Sequence, residues 1–411
     1  MSLELATIKT CRVAVEPAGS YGVDIALGAS FQNLPVTEDF AMPAPEREML
    51  DPMVAQALLD SASIKVAGKR SGSMKVDLVL GSHGLDTDGT VAAPSKATWP
   101  LRAMLETVLG GYSSPTALGS LVTVQAASTT TLVNVTAGDG ALLTRGQAIG
   151  VLCNGVMEVK EILSIATNAV SLREACSATP TGTIRHAATF FATQNPSDSL
   201  QFELLGAELD DHFRFSGAQI KGFSIEAKPG MLPKISFDLA GRGVVSIAAH
   251  SGLAEATFAN YSPIVASGGC ITVATFGSTT RVDPLVSDFS CSFDIGYEPV
   301  TSYCATDNIV RMRRKRAAGG RLAKGTFTIP YEDTTWITAR DNRTIRAINF
   351  QIGSAVGATM LLSFPRVQIV GVKRASSGTN LAGQTIEWEA LQDTLDATTD
   401  LGRASARLHF I

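Results

Sequence analysis

The sequence predicts a mainly β protein: two tandem β-sandwich or barrel modules, each with a flanking short helix, plus an inserted small all-β domain. Three observations carry this. Short runs of alternating apolar and polar residues, cut by Gly, Asn, Ser and Thr turns, recur along the chain, and long Glu/Lys-rich helical runs are absent. The order of features in residues 65–244 returns in residues 309–391. Residues 116–193 interrupt that order with a texture of their own.

In the first pass, KVAGKRSGSMKVDLVLG (65–81) leads to a helix-like WPLRAMLETVLGG (99–111) and, after a gap, to GAQIKGFSIEAKPGMLPKISFDLAGRGV (217–244). In the second, IVRMRRKRAAGGRLAKGTFTIPYED (309–333) leads to TTWITARDN (334–342) and then to MLLSFPRVQIVGVKRASSGTNLAGQTIEWEAL (360–391). Each pass reads as a basic Gly-rich turn, an amphipathic strand, a short helix around a Trp, and a hairpin closed by a Gly-containing turn. A chain that carries one β-module twice usually uses it for repeated contacts with copies of itself. The expected division is 1–115 (first part of module 1), 116–193 (the insert, on the outer surface), 194–262 (rest of module 1 and a crossover) and 263–411 (module 2 and a C-terminal arm).

Taken in order, CRVAV (11–15) reads as a strand followed by the turn EPAGSYG. Residues 31–62 hold four prolines, the acidic EREMLDP and the amphipathic MVAQALLDS, too much for a simple hairpin connection. Long loops in compact domains are usually functional. Met74, Val76 and Leu78 alternate with Ser73, Lys75 and Asp77, the period of a half-buried strand. Pro100 suits a first helical turn, Leu101, Leu105 and Val108 share one face, and Gly110-Gly111 stops the helix. In 116–193, LVTVQAASTTTLVNVTAG and the runs after it are short β-segments between Gly, Asn and Thr turns, which suggests a small barrel or sandwich. An insertion is tolerated where backbone ends are exposed, so its role is expected to be peripheral. Residues 245–268 read as linker and crossover, and DATTDLGRASARLHFI ends in an apolar strand-like piece left to pair with a neighbour.

Composition narrows the function classes. At 411 residues the chain is long enough for two or three cores, and 45 % hydrophobic with 18 % charged residues fits a folded, water-soluble protein. A net charge of −4 argues against a generally basic, DNA-coating protein. The six cysteines (11, 153, 176, 270, 291 and 304) form no C-x-x-C pair and lie near no His at metal-ligand spacing, so they read as buried reduced thiols and no metal is expected. No signal-peptide core and no membrane span is seen, and synthesis and folding in a cytosol are expected.

Chemistry-bearing candidates are few. On strands 223–228 and 235–239, Phe223, Ile225, Ile235, Phe237 and Leu239 oppose Ser224, Glu226, Lys228, Ser236 and Asp238. In the second copy Ile386, Trp388 and Ala390 oppose Thr385, Glu387 and Glu389. The plain reading is a sandwich sheet with one wet face. The functional reading is a channel wall made acidic by Glu226, Asp238, Glu387 and Glu389, which repels phosphate and leaves a polyanion free to slide. The basic cluster Arg311, Arg313, Arg314, Lys315 and Arg316 reads as a solvated loop, or as a subunit contact for an acidic loop such as Glu46, Glu48 and Asp51 on a neighbour. Asp210, Asp211 and His212 read as an exposed turn. LDTDGT begins like a calcium loop, but Ala97 stands where the closing Glu would be needed. No nucleophile elbow, phosphate-cradling loop, zinc-protease or dinucleotide motif occurs, so neither enzyme activity nor a cofactor is expected.

With these parts laid out, the sequence resembles the tail tube (major tail) proteins of long-tailed, non-contractile bacteriophages. The likeness rests on CRVAVEPAGSYG with the Pro-rich loop behind it and on GKRSGSMKVDLVLG before the Trp-Pro-initiated helix. It rests also on the inserted β-domain and on the paired hairpins IKGFSIEAKPGMLPKISFDLAGRGV and PRVQIVGVKR…TIEWEAL. The resemblance implies a structural virion protein, assembled in the host cytoplasm, whose modules close into rings that stack into a tube around double-stranded DNA. Two fused modules imply a homotrimeric ring with pseudo-sixfold symmetry. It further implies an inter-ring role for 31–62, lumen-facing hairpins at 221–240 and 366–391, and tape measure, tail terminator and distal tail proteins as partners. No membrane is implied. The rival readings are another virion β-protein, such as a decoration or baseplate-hub component, and a glycan-binding tail protein. The last would need an aromatic-lined or paired-carboxylate cleft, and 3 Trp and 6 Tyr make that thin.

Overall fold

Strand runs that bury one face and wet the other need a second layer to cover them, and the chain supplies it by folding one long sheet over a shared core. The computed structural model describes residues 8–17, 31–36, 72–82, 95–96, 98–115, 122–193, 199–206, 212–241, 243–246, 261–265, 269–294, 297–301, 309–314, 323–331, 333–376, 382–396 and 398–411. The first stretch forms β1 (Ile8–Val15), β2 (Gln32–Asn33), β3 (Gly72–Val79), β4 (Gly81–Ser82), helix α1 (Pro100–Leu109) and β5 (Gly110–Ser113). Next come β6 (Leu132–Asn134), β7 (Ala148–Cys153), β8 (Val156–Ala166), β9 (Ala169–Leu172) and β10 (Thr181–His186). They are followed by β11 (Ala188–Ala192), β12 (Leu200–Gly206), β13 (His212–Ala227), β14 (Lys234–Gly241), β15 (Gly243–Ser246) and β16 (Ser262–Pro263). The last third holds β17 (Cys270–Thr275), β18 (Asp288–Asp294), β19 (Tyr297–Thr301), β20 (Ile309–Arg314) and β21 (Ala323–Ile329). It closes with α2 (Thr334–Asp341), β22 (Ile345–Ala355), β23 (Ala358–Ser376), β24 (Ala382–Ala390), α3 (Asp400–Arg403) and β25 (Arg407–Phe410). The chain is mainly β, as expected.

Sixteen of the described strands form one sheet. Its spine runs β3–β14–β13–β18–β21–β24–β23–β22–β17, and every neighbouring pair is antiparallel. Two strands change partners midway. The first part of β13 pairs with β12 and β15, and from Gln219 on it pairs with β14. The first part of β23 pairs with β22 and β25, and from Val367 on it pairs with β24. A strand that switches partners bends the sheet and lets it cover its own buried face.

That face holds the aromatic core. Phe223 stacks on Phe293 at 4.3 Å, and Trp388 packs on Phe364 at 4.5 Å. Helix α1 begins where Pro100 needs no hydrogen-bond partner and ends where Gly110 takes φ 83, a left-handed cap without Cβ cost. It brings the fully buried Trp99 edge-on to Phe190 and Phe410, each at 5.5 Å. Helix α2 is capped by the Asp333 carboxylate, which accepts from the Thr335 N–H, and buries Trp336 against Phe327.

Strands β10–β7–β8–β9–β6 make a separate five-stranded sheet with its own apolar cluster around Val133, Ile149, Ile162 and Ile184. Two expectations are corrected. Ala188–Ala192, read as the end of the insert, belongs to the long sheet, because β11 pairs with β25 on one side and β5 on the other. The C-terminal strand is not left for a neighbour: β25 is bonded by β11 and by β23 of its own chain. Its residues are buried throughout, which an exposed arm would not require.

Candidate functional site

The most extended functional surface is the polar side of the seven strands from β3 to β23. Residues paired across a ladder share a face, so the register defines the surface. One row runs Lys234–Glu226–Ser290–Thr326–Glu387. The next runs Asp77–Ser236–Ser224–Ser292–Lys324–Glu389. All four carboxylates expected on one wet face, Glu226, Asp238, Glu387 and Glu389, do stand on one face, although they come from both hairpins. The centre of the face is a hydroxyl ladder. Ser290 and Thr326 are hydrogen-bonded at 2.9 Å, and Thr328 and Thr385 at 3.1 Å.

Each of those acids has a lysine as its cross-strand neighbour or ion-pair partner, the Lys75 ammonium itself lying 3.5 Å from Asp77. Asp238 lies opposite Lys75, Glu226 opposite Lys234 and Glu389 opposite Lys324. Lys373 forms an ion pair with Glu387. Opposite charges across a ladder contribute about 0.2–1 kcal/mol each and hold register as much as stability. Among the described residues of these strands, the face carries Asp77, Glu226, Asp238, Asp288, Asp294, Glu387 and Glu389 against Lys75, Lys221, Lys234, Lys324, Arg366 and Lys373. It is therefore a mixed-charge surface in which acids and bases nearly balance, not a bare carboxylate wall.

The two hairpins match in detail. In β13–β14 the register shifts between Ile220 and Gly222, and in β23–β24 it shifts between Ile369 and Gly371. In each the glycine faces a carboxylate residue, Asp238 or Glu387. A Cβ on Gly222 would run into the Phe293 backbone, so that position requires glycine, whereas one on Gly371 would meet the Glu387 carboxylate, a flexible group that has to swing aside. Each hairpin is flanked on the same side by one further strand, β3 or β21.

The remaining sequence candidates scatter. Glu46, Glu48 and Asp51 lie outside the described residues, as do Lys315, Arg316, Asp210 and Asp211. Arg311, Arg313 and Arg314 stand on β20, a strand paired with β19, rather than in the turn or loop expected. Cys11, Cys153, Cys176 and Cys291 are free and buried, and Cys270 is partly buried.

A second constellation escaped the sequence reading. The insert is joined to the rest of the chain by a buried ion cluster. Arg407 on β25 is fully buried and reaches Glu161 on β8 at 3.0 Å and Asp393 at 2.8 Å. Arg173 binds the same two carboxylates at 2.9 and 2.8 Å. Ser363 donates to Glu161 at 2.6 Å, and Arg407 also donates to the Leu401 carbonyl. Burial pushes the Glu161 carboxyl up, but Arg173 and Arg407 outweigh it and hold it at about 2. Two guanidiniums and two carboxylates, all in close contact, leave no net charge in the interior. This is the condition under which buried ions are tolerated.

Comparison with known proteins gives one decisive match. Residues 71–390 match the phage tail tube protein family. The chain belongs to that family. This phage tail tube protein is thus a structural subunit of a virion component, and the match spans the insert and both hairpins that follow it. None of the described helices is long and apolar enough to cross a membrane. No curated protein matches the chain. Among solved structures it is similar to K. pneumonia MrkH in its apo state, at 6 % identity over 59 % of this chain and 78 % of that one, with a TM-score of 0.16. A P2(1) crystal form of K. pneumonia MrkH is similar at 6 % identity over 59 % and 77 %, with a TM-score of 0.17. Likenesses this slight carry no argument about fold or function.

Proposed function

We propose that this tail tube protein carries two fused tube modules, that three copies close into a pseudo-sixfold ring, and that stacked rings enclose a bore lined by the polar face and traversed by double-stranded DNA. The observation that supports this is the joint inside the chain. The far edge of the first hairpin, Gly222–Ala227, is bonded to β18, and β18 leads on to β21 and the second hairpin. Beyond Gln368 the matching edge of the second hairpin, at Val370–Lys373, carries no ladder to another described strand. The spine alternates in sense, so β3 and β23 run the same way, and an intervening strand like β18 is what an antiparallel joint from β23 of one copy to β3 of the next requires. A joint repeated head to tail closes when the rotation per copy divides a circle, and closure removes the exposed edges.

On this reading the hydroxyl ladder and the lysine-paired acids offer DNA a weakly repelling wall with few free cations to hold phosphates. The insert decorates the outside, the loop at 31–62 reaches the next ring, and Arg311–Arg316 meet a neighbouring subunit. Tape measure, terminator and distal tail proteins are the partners such a tube needs. Negative-stain microscopy of purified protein tests the reading. Hollow striated tubes, or rings with threefold averages, are expected. Compact particles without an axial hole at any concentration or salt would refute it.

A further inference from the structure

We propose that Cys153 and Cys176 are a redox-active pair that closes into a disulfide within the insert when the protein meets a peroxide. Cys153 ends β7, and Cys176 lies in the segment after β9, both in the insert's apolar cluster. Their sulfurs and a Glu158 carboxylate oxygen all lie within 4.8 Å of one another. The three groups at first suggest a metal site, but Glu158 is already engaged. It accepts from the Ser177 backbone N–H at 3.2 Å and pairs with Arg281 at 3.1 Å and Lys160 at 3.3 Å. A divalent cation would sit beside two fixed cations and displace the contacts that keep Glu158 charged. That leaves two sulfurs facing each other, whose available chemistry is with one another.

The two thiols are not equivalent. The hydrogen bond between them lowers the Cys153 thiol and raises that of Cys176. Cys153 is therefore the more readily deprotonated of the two and the one that reacts first. Its sulfur attacks one peroxide oxygen, the O–O bond breaks, and hydroxide leaves to take up a proton as water. The resulting sulfenic acid lies against Cys176. The Cys176 sulfur gives up its proton, attacks the Cys153 sulfur and expels the second oxygen as water. Two thiols are oxidised by two electrons and one hydrogen peroxide is reduced to two waters.

The location gives the bond a consequence. The segment Arg173–Ser177 is the insert's grip on the rest of the chain. Arg173 reaches Asp393, Glu174 accepts from Asn349 at 3.3 Å, and Ser177 holds the Glu158 that binds Arg281. A bond from Cys176 to β7 ties that segment to the insert's sheet, so oxidation after release from a reducing cytosol stiffens the grip. The inference stands whether or not the chain forms tubes.

The test treats reduced, native protein with dilute hydrogen peroxide, then denatures it, alkylates remaining thiols and maps peptides without reduction. The expected product joins Cys153 to Cys176, weighs two hydrogens less, leaves Cys11 and Cys291 alkylated, and melts at a higher temperature than the reduced form. Recovery of both cysteines alkylated, or as sulfinic acid, would overturn the proposal. So would zinc retained at one per chain after desalting that protects both thiols, since that outcome assigns the pair to a metal.

Discussion

Replacing Arg407 with methionine removes one guanidinium from a site with no access to water and leaves its volume nearly filled. Arg407 is wholly buried, and its loss strands Glu161 and Asp393 with Arg173 alone. Removing one partner of a buried ion pair costs about 3–5 kcal/mol, because the remaining charge stays buried. A second route gives a similar size. Glu161 is held at about 2, against an ordinary value of 4.5. That difference corresponds to about 3 kcal/mol of folding free energy. The sign follows from the direction. A depressed carboxyl stabilises the fold above pH 4.5, and the contribution fades as pH falls through about 2. In the Met variant burial acts with less opposition, so the Glu161 carboxyl rises. Urea unfolding of wild type and R407M, followed at intervals from pH 7 to pH 2.5, measures both effects. Expected is a deficit of about 3 kcal/mol or more near neutral pH that shrinks toward acid, because only the wild type has this contribution to lose. A deficit under about 1 kcal/mol, the level of a surface pair, or one that does not change with pH, would refute the reasoning.

Two further outcomes follow. Burial drives the His409 imidazole down to about 3 while its ring accepts or donates at Thr189. The unfolded chain takes up a proton below the ordinary 6.5 and the folded chain does not, so stability falls as pH drops across that window. His409→Gln removes this loss, and the variant should gain up to about 3 kcal/mol on wild type between neutral pH and pH 4 by the same urea assay; a constant difference between the two proteins sinks the assignment. Glu387→Lys with Glu389→Lys turns two paired positions into four neighbouring ammoniums with Lys373 and Lys324. Virions carrying it should keep intact tubes but release DNA more slowly at low salt, recovering as salt rises; normal release at every salt counts against the lumen assignment.

Much of the frame was legible because it follows from local pattern. Period-two alternation placed Glu226 and Asp238 on one face of their hairpin and Glu387 and Glu389 on that of the other, and the ladders join those faces. Pro100 and Gly110 bounded α1 correctly because caps are set by single residues. What escaped depends on partners far along the chain. No single strand reveals that Lys75 sits across from Asp238, or Lys324 across from Glu389. The β8 run VMEVKEILSIA reads only as one short β-segment among several, and nothing in it tells that Glu158, Lys160 and Glu161 are buried because another part of the chain covers them. Arg407 was the available signal. A charged residue inside an apolar terminal strand is costly unless paired, and reading it that way would have placed β25 inside the fold rather than in an arm.

These two kinds of charge do different work. On the polar face the Lys373–Glu387 pair is solvent-exposed and cheap to break, so those residues can change without unfolding the chain. In the junction of insert and body the charges are dry and mutually dependent, so none can be lost alone. An insert joined to the long sheet only through its two chain ends would swing on them. Joined through Glu161 and Arg173 to Asp393 and Arg407, it is carried by the last third of the chain as well. The insert can hold one fixed attitude toward the second hairpin, whose edge at Val370–Lys373 carries no ladder to another described strand.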